Sequence, residues 1–144
     1  MMLIFTLILN STLTQGLHRR IVMDQDTHFQ HTVEFASGAG TTTYFQLPYA
    51  CTMRDLKGIV QSDPGDAETV TVTYGSTDAA ATAIGLLTFG STILAGAVGT
   101  WAADDTDGET IMAKDGYLKF EPSSGEAAAT CDLNIELDPY ARVA

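Results

Sequence analysis

The chain is 144 residues long and carries 7 Lys+Arg against 18 Asp+Glu, a formal charge of −11 at pH 7. That surplus repels phosphate backbones and anionic head groups, so nucleic acid and membrane surfaces are excluded as direct partners. Charged residues are 17% and hydrophobic ones 45%, which argues for one folded domain able to bury about two thirds of its unfolded surface.

Residues 1–9 (MMLIFTLIL) are the strongest apolar run. Nine residues do not cross a bilayer core, which takes about 20 in a helix. The length suits the apolar stretch of a secretory leader, but no basic residue precedes it, no A-x-A follows it, and Arg19 and Arg20 lie downstream. Two readings stay open: an upstream extension of a chain that starts at Met23, or an apolar arm that docks on a partner. A start at Met23 leaves the remainder at −13. The predicted organisation is an N-terminal arm over residues 1–27 and a β-sandwich domain over 28–144.

From there the sequence reads as short strands between turn signals about 8–12 residues apart. Residues 32–35 alternate weakly, and Ser37, Gly38, Ala39 and Gly40 form a turn by composition. Residues 41–47 (TTTYFQL) are β-branched and aromatic until Pro48 stops them, and residues 53–60 follow as the next apolar segment. After a turn at Asp63, Pro64 and Gly65 comes the clearest strand, residues 68–74 (ETVTVTY). Its period of two places Val70, Val72 and Tyr74 inward, with the threonines facing out. Residues 76–81 are a small-residue connection, 84–89 another strand, and 93–101 an apolar stretch that Gly96 and Gly99 break for a bend or a close backbone approach. Asp115-Gly116 is the best short hairpin signal, predicted to pair residues 110–113 with 117–120. Residues 131–137 (CDLNIEL) close the chain with Leu133, Ile135 and Leu137 inward. Seven to eight strands without an amphipathic helix predict an all-β protein, an antiparallel β-sandwich or jelly roll with an N-terminal extended arm. Threonine is frequent and lysine scarce, so the exposed faces carry hydroxyls, of the kind often buried against neighbours.

No candidate for chemistry outweighs its structural explanation. Asp104, Asp105, Asp107 and Glu109 are the densest carboxylate cluster. An EF-hand register on Gly108 puts Ala103 at position one and Lys114 at the closing glutamate, so a solvated acidic loop is the expectation. His18, His28 and His31 are the histidines available as general bases, and all lie ahead of the strand-rich body. His28 and His31, three apart, would face opposite ways in a strand. Gly38-Ala39-Gly40 is half of a glycine-rich phosphate loop with neither the later glycine nor a helix. Trp101, Tyr44, Tyr49, Tyr117 and Tyr140 could build a sugar-binding platform, against the commoner role of aromatics in strands as core or rim. Cys51 and Cys131, 80 positions apart, form no metal motif and are expected buried and reduced, a single bridge being open only in an oxidising compartment. No catalytic residue, cofactor site or metal site is assigned.

The segments VTVTYGSTDAAATAIGLLTFGS and ILAGAVGTWAADDTDGETIMAKDGYLKFEPSSGEAAATCDLNIELDPYA, from Val70 to Ala144, resemble small structural proteins of tailed-bacteriophage virions. The likeness is to capsid-associated β-sandwiches of the decoration or cement kind. It rests on the Gly/Ala/Thr-rich body, the GLLTF strand, the acidic DTDGETI and the terminal NIELDPYA. It implies a structural protein, assembled in the host cytoplasm, that binds the exterior of the capsid through the major capsid protein or other virion proteins. A homo-oligomer, a trimer among the options, is implied as well, and no catalysis. A tail or fibre component of the virion, or a secreted carbohydrate-binding sandwich whose leader is residues 1–9, are the alternatives.

Overall fold

A computed structural model describes residues 26–36, 40–65, 67–75, 82–90, 94–104, 110–123 and 128–140. The described residues form eight strands and no helix: β1 (His28–Phe35), β2 (Thr43–Gln46), β3 (Cys51–Val60), β4 (Thr69–Gly75), β5 (Thr82–Thr88), β6 (Thr100–Ala103), β7 (Tyr117–Pro122) and β8 (Ala129–Pro139). They make two antiparallel sheets, β1-β8-β3 and β2-β7-β4-β5-β6, packed face to face as a β-sandwich.

The alternation that marks β8 in the sequence positions it centrally. Leu133, Ile135 and Leu137 are buried while Asp132 and Asn134 are exposed, and both edges of the strand are paired, to β1 and to β3. Opposite them, Val70, Val72, Leu87, Leu118 and Phe120 line the inner face of the larger sheet, and Phe35 meets Phe89 edge-on at 6.1 Å. Val70 and Val72 are fully buried as predicted, and Tyr74 is half-buried against the same core, its hydroxyl accepting the Ala113 N–H at 2.9 Å.

Several expectations change. Thr73 is buried, not solvated. It stands level with Lys119 on the outer face, beside a bulge where the β4–β5 register steps past Ile84. A bulge bends the strand and increases its local twist, so strict in–out alternation does not hold through it. Asp115-Gly116 is a turn, with Asp115 at φ 66 and the Gly116 N–H on the Ala113 carbonyl at 3.2 Å, but it joins no hairpin. β7 is already paired on both sides, to β2 and β4, so no edge remains for residues 110–113. Met112 instead bridges to Cys51 of the other sheet. The apolar stretch at 93–101 divides likewise. Its carboxyl end forms β6, while Gly96, Ala97 and Gly99 bond to Gly58 and Val60, covering the free edge of β3. Gly96 bends there at φ +88, and a Cβ on Gly99 would meet Leu87 and Phe89 at 2.9 Å. The two glycines therefore serve the two purposes expected of that stretch.

Cys51 and Cys131 are buried free thiols. Cys51 opens β3, whereas Cys131 stands opposite Val60, which closes it. Nine residues of extended chain separate the two positions, about 30 Å at the strand rise. A bridge needs Cα atoms within about 7 Å, so the fold rules out an intramolecular disulfide.

Candidate functional site

The two outer faces differ in kind. That of the smaller sheet is ionic. Arg54, thrown outward by a bulge in β3, reaches Glu136 at 3.2 Å and Asp138 at 3.4 Å, His28 Nε2 lies 3.6 Å from Glu136, and Lys57 lies 3.7 Å from Asp55. Such exposed pairs add little stability. Among the described residues the larger sheet has one ion pair, Lys119–Glu121 on β7 at 2.7 Å, whose hydrogen bond raises the Lys119 pKa. Its next three strands, β4, β5 and β6, contain no Asp, Glu, Lys or Arg. Their outward positions include Thr71, Thr73, Ala83, Leu86, Thr88 and Ala102, with Leu86 exposed. An open groove of about 330 Å³ crosses this face between Thr71, Ala83, Leu86 and Ala102, with Asp104 at its end. One carboxylate among alanines, one threonine and a leucine can offer hydrogen bonds and apolar contact but no acid–base pair.

The lateral edges differ too. β3 is covered, as described above. On the opposite side of the sandwich, β1 and β2 lie one in each sheet, and their outward edges have no strand partner among the described residues beyond the Glu34–Thr41 bridge. Between them runs an aromatic seam. Phe29 stacks tilted on Phe45 at 5.4 Å and on Tyr49 at 6.2 Å, and the His31 ring lies 5.2 Å from Phe120 and 6.2 Å from Phe45. His31 Nε2 shares a 2.8 Å hydrogen bond with Thr43 Oγ1, and burial lowers the imidazole pKa. The Tyr49 hydroxyl donates to the Asp26 carbonyl, and burial, followed by the nearby Cys51, Asp26 and Asp138, pushes its pKa up to about 12. Burial likewise raises the Cys51 thiol to about 11 and the Cys131 thiol to about 12.

His28 and His31 belong to β1, not to a segment ahead of the strands, and they face opposite ways as their spacing requires. His31 with Thr43 has the outline of a base and a hydroxyl nucleophile. A working pair needs a third group that orients the base and donors for the developing oxyanion. Here the ring is flanked by phenylalanines, and no such group faces it among the described residues. Asp104 is exposed, whereas Asp105, Asp107, Glu109 and His18 lie outside the described residues, as do Gly38 and Ala39. Among the described residues no three His, Cys, Asp or Glu side chains converge as metal ligands.

The five aromatics of the platform reading are dispersed. Trp101 lies on β6, its ring over Gly85, at the far edge of the sheet from Tyr44 on β2. Four strand spacings, about 19 Å, separate those edges. Tyr49 is in the seam, Tyr140 is exposed after β8, and only Tyr44 and Tyr117 sit on adjacent strands.

The sequence reading missed the Glu68–Ser123 pair. Glu68 is fully buried, its Oε2 accepts a hydrogen bond from the Ser123 hydroxyl, and Ser123 Oγ accepts the Thr69 N–H at 2.8 Å. Glu68 Oε1 has no hydrogen-bond partner among the described residues. No helix of the described residues is long and apolar enough to cross a membrane. Neither a protein-family model nor a curated protein matches the chain.

Proposed function

We propose that this chain is a structural protein without catalytic activity that attaches to a protein lattice, as a decoration or cement protein on the exterior of a virion capsid. The observation that carries this reading is the uncharged outer face of β4, β5 and β6. In a chain of charge −11, three adjacent strands without an ionic side chain are what a surface covered by a partner requires, because desolvating an unpaired charge there would oppose binding. The bacteriophage likeness of residues 70–144 supports the same class, and the acidic charge suits a shell exterior remote from packaged DNA. Partners of this kind are the major capsid protein or another virion protein, with self-association into an oligomer on the lattice. The dispersed aromatics weigh against the carbohydrate-binding alternative.

Residues 1–9 would add to such attachment only modestly. Burying their large side chains yields on the order of 10 kcal/mol, at about 1.5–3 kcal/mol each, and ordering nine residues costs a similar amount. Firm attachment then depends on the sandwich face and on many copies acting together.

The test is incorporation into particles. Leu86→Glu places a charge at an exposed position, where the fold should tolerate it within about 0.5 kcal/mol, and should remove most of the protein from purified particles. Deletion of residues 1–22 should weaken incorporation without abolishing it. Full incorporation of the folded Leu86→Glu variant would contradict the assigned face.

A further inference from the structure

The His31–Thr43 contact joins strands of different sheets. β1 belongs to the three-stranded sheet and β2 to the five-stranded one, so no backbone ladder spans them at this level. Below it they are tied by the Thr41 N–H on the Glu34 carbonyl at 3.1 Å. Above it, Leu47 is clasped to the Asp115–Gly116 turn by bonds of 3.0 and 2.8 Å. Between those ties β2 is a four-residue edge strand held by β7 on one side and by the seam on its inner face. Among the described residues, the one side-chain hydrogen bond across the seam at this level is the 2.8 Å bond of His31.

We propose that the β1–β2 seam is a pH-dependent closure, held shut by neutral His31 and loosened when that imidazole takes up a proton. The reason is what surrounds the ring. On its own strand the ionisable neighbours His28 and Glu34 point to the opposite face. From β8 it meets Leu133, its direct partner, with the buried neutral thiol of Cys131 two residues on; Asp132 and Glu136 turn outward. From β2 it meets Thr43 and Phe45, and from β7 Phe120, while Lys119 and Glu121 occupy the other face of β7. Tyr49 lies further along the seam, neutral and engaged with Asp26. No carboxylate faces the ring among these elements. A protonated imidazole would there be a half-buried cation without a counter-ion, and it regains water most cheaply by parting β2 from β1.

The direction follows from linkage. His31 has a folded pKa below its ordinary 6.5, for desolvation by burial. The unfolded or opened state therefore binds the proton more readily. The contribution to closure is complete above pH 6.5 and is lost as the pH falls below it toward the lowered value. This inference is independent of the attachment reading.

Amide hydrogen exchange on the full chain at pH 7.5 and 5.0, expressed as protection factors, tests it. On going to pH 5.0, protection of Thr43–Gln46 and of β1 should fall relative to β4. The fall should be about tenfold for each pH unit by which the His31 pKa lies under 6.5, up to a ceiling of about thirtyfold at pH 5.0. His28→Gln should show the same fall, and His31→Gln, which keeps a hydrogen-bonding side chain that cannot titrate, should show none. Uniform protection across β1, β2 and β4 in the wild type, or an undiminished fall in His31→Gln, would overturn the proposal. Should His31→Gln not fold, the wild-type β2 amide shifts are compared with the His31 imidazole titration by NMR. Coincident midpoints support the closure, and midpoints a unit or more apart overturn it.

Discussion

Ser123 ties together three groups that the sequence gives no reason to associate: its hydroxyl donates to buried Glu68, accepts from Thr69, and lies one residue beyond β7. Ser123→Ala would leave the Thr69 N–H and Glu68 Oε2 without this partner. At about 1–3 kcal/mol for an unsatisfied buried group, the expected loss is about 2 kcal/mol or more in urea unfolding. An unchanged midpoint would mean that water replaces the hydroxyl. Burial of Glu68 was in fact legible: it shares the parity of Val70, Val72 and Tyr74 in ETVTVTY, and only the habit of placing acids outside hid it. The same parity, through Phe29, Val33 and Phe35, turns His31 inward. What lay beyond the sequence was the partner, since Thr43 and Phe120 meet His31 only through sheet packing. The cysteines give a second expectation at this scale. With thiol pKa values pushed up to about 11 and 12 by burial, the folded protein should react very slowly with iodoacetamide at pH 8, because the thiolate is the nucleophile. Both sites should react promptly once it is unfolded, and rapid labelling of the folded chain would contradict their burial.

Among elements, the strands with a period of two were the legible ones. β4 and β8 lie centrally in their sheets, one face in the core, so alternation survives along their length. β6 was not legible because TWAA has no alternation of its own; it is a strand only because Leu87 and its neighbours on β5 offer an edge. Asp115-Gly116 misled for a related reason. A turn signal fixes the local bend, whereas the pairing of its arms is decided by which edges remain open in the finished sheet. Gly85 is the residue that lets β6 dock: a Cβ there would strike the Trp101 ring and come within 2.5 Å of the Ala102 carbonyl oxygen. Gly85→Ala should therefore displace β6 and cost about 1–3 kcal/mol. Trp101 is the sole tryptophan, so its emission should shift to longer wavelength in the variant. Unaltered emission would show that β6 accommodates the methyl group.

At the scale of the whole molecule, the unequal distribution of charge matters most. Ion pairs and acids gather on the smaller sheet, while β4, β5 and β6 present threonine, alanine and Leu86. Composition already hinted at this in the many threonines and few lysines, but not at which strands would together form an uncharged surface, since β4, β5 and β6 become neighbours only in the fold. The exposed residues Ile59, Leu94 and Val98, where Val98 bridges Ile59 at the covered edge of β3, are a separate apolar feature at the lateral edge of the sandwich, with Ile59 on the outer face of the smaller sheet. A sandwich with one ionic and one neutral face is suited to lie on a surface with the neutral face down. The most direct measurement is the copy number and orientation of this protein on purified virus particles, by quantitative mass spectrometry and electron cryo-microscopy. The expected result is a fixed ratio to the shell subunit, with the β4-β5-β6 face against the shell and the ionic sheet toward solvent. Absence from the particles, or a bound orientation with that uncharged face in solvent, would contradict it.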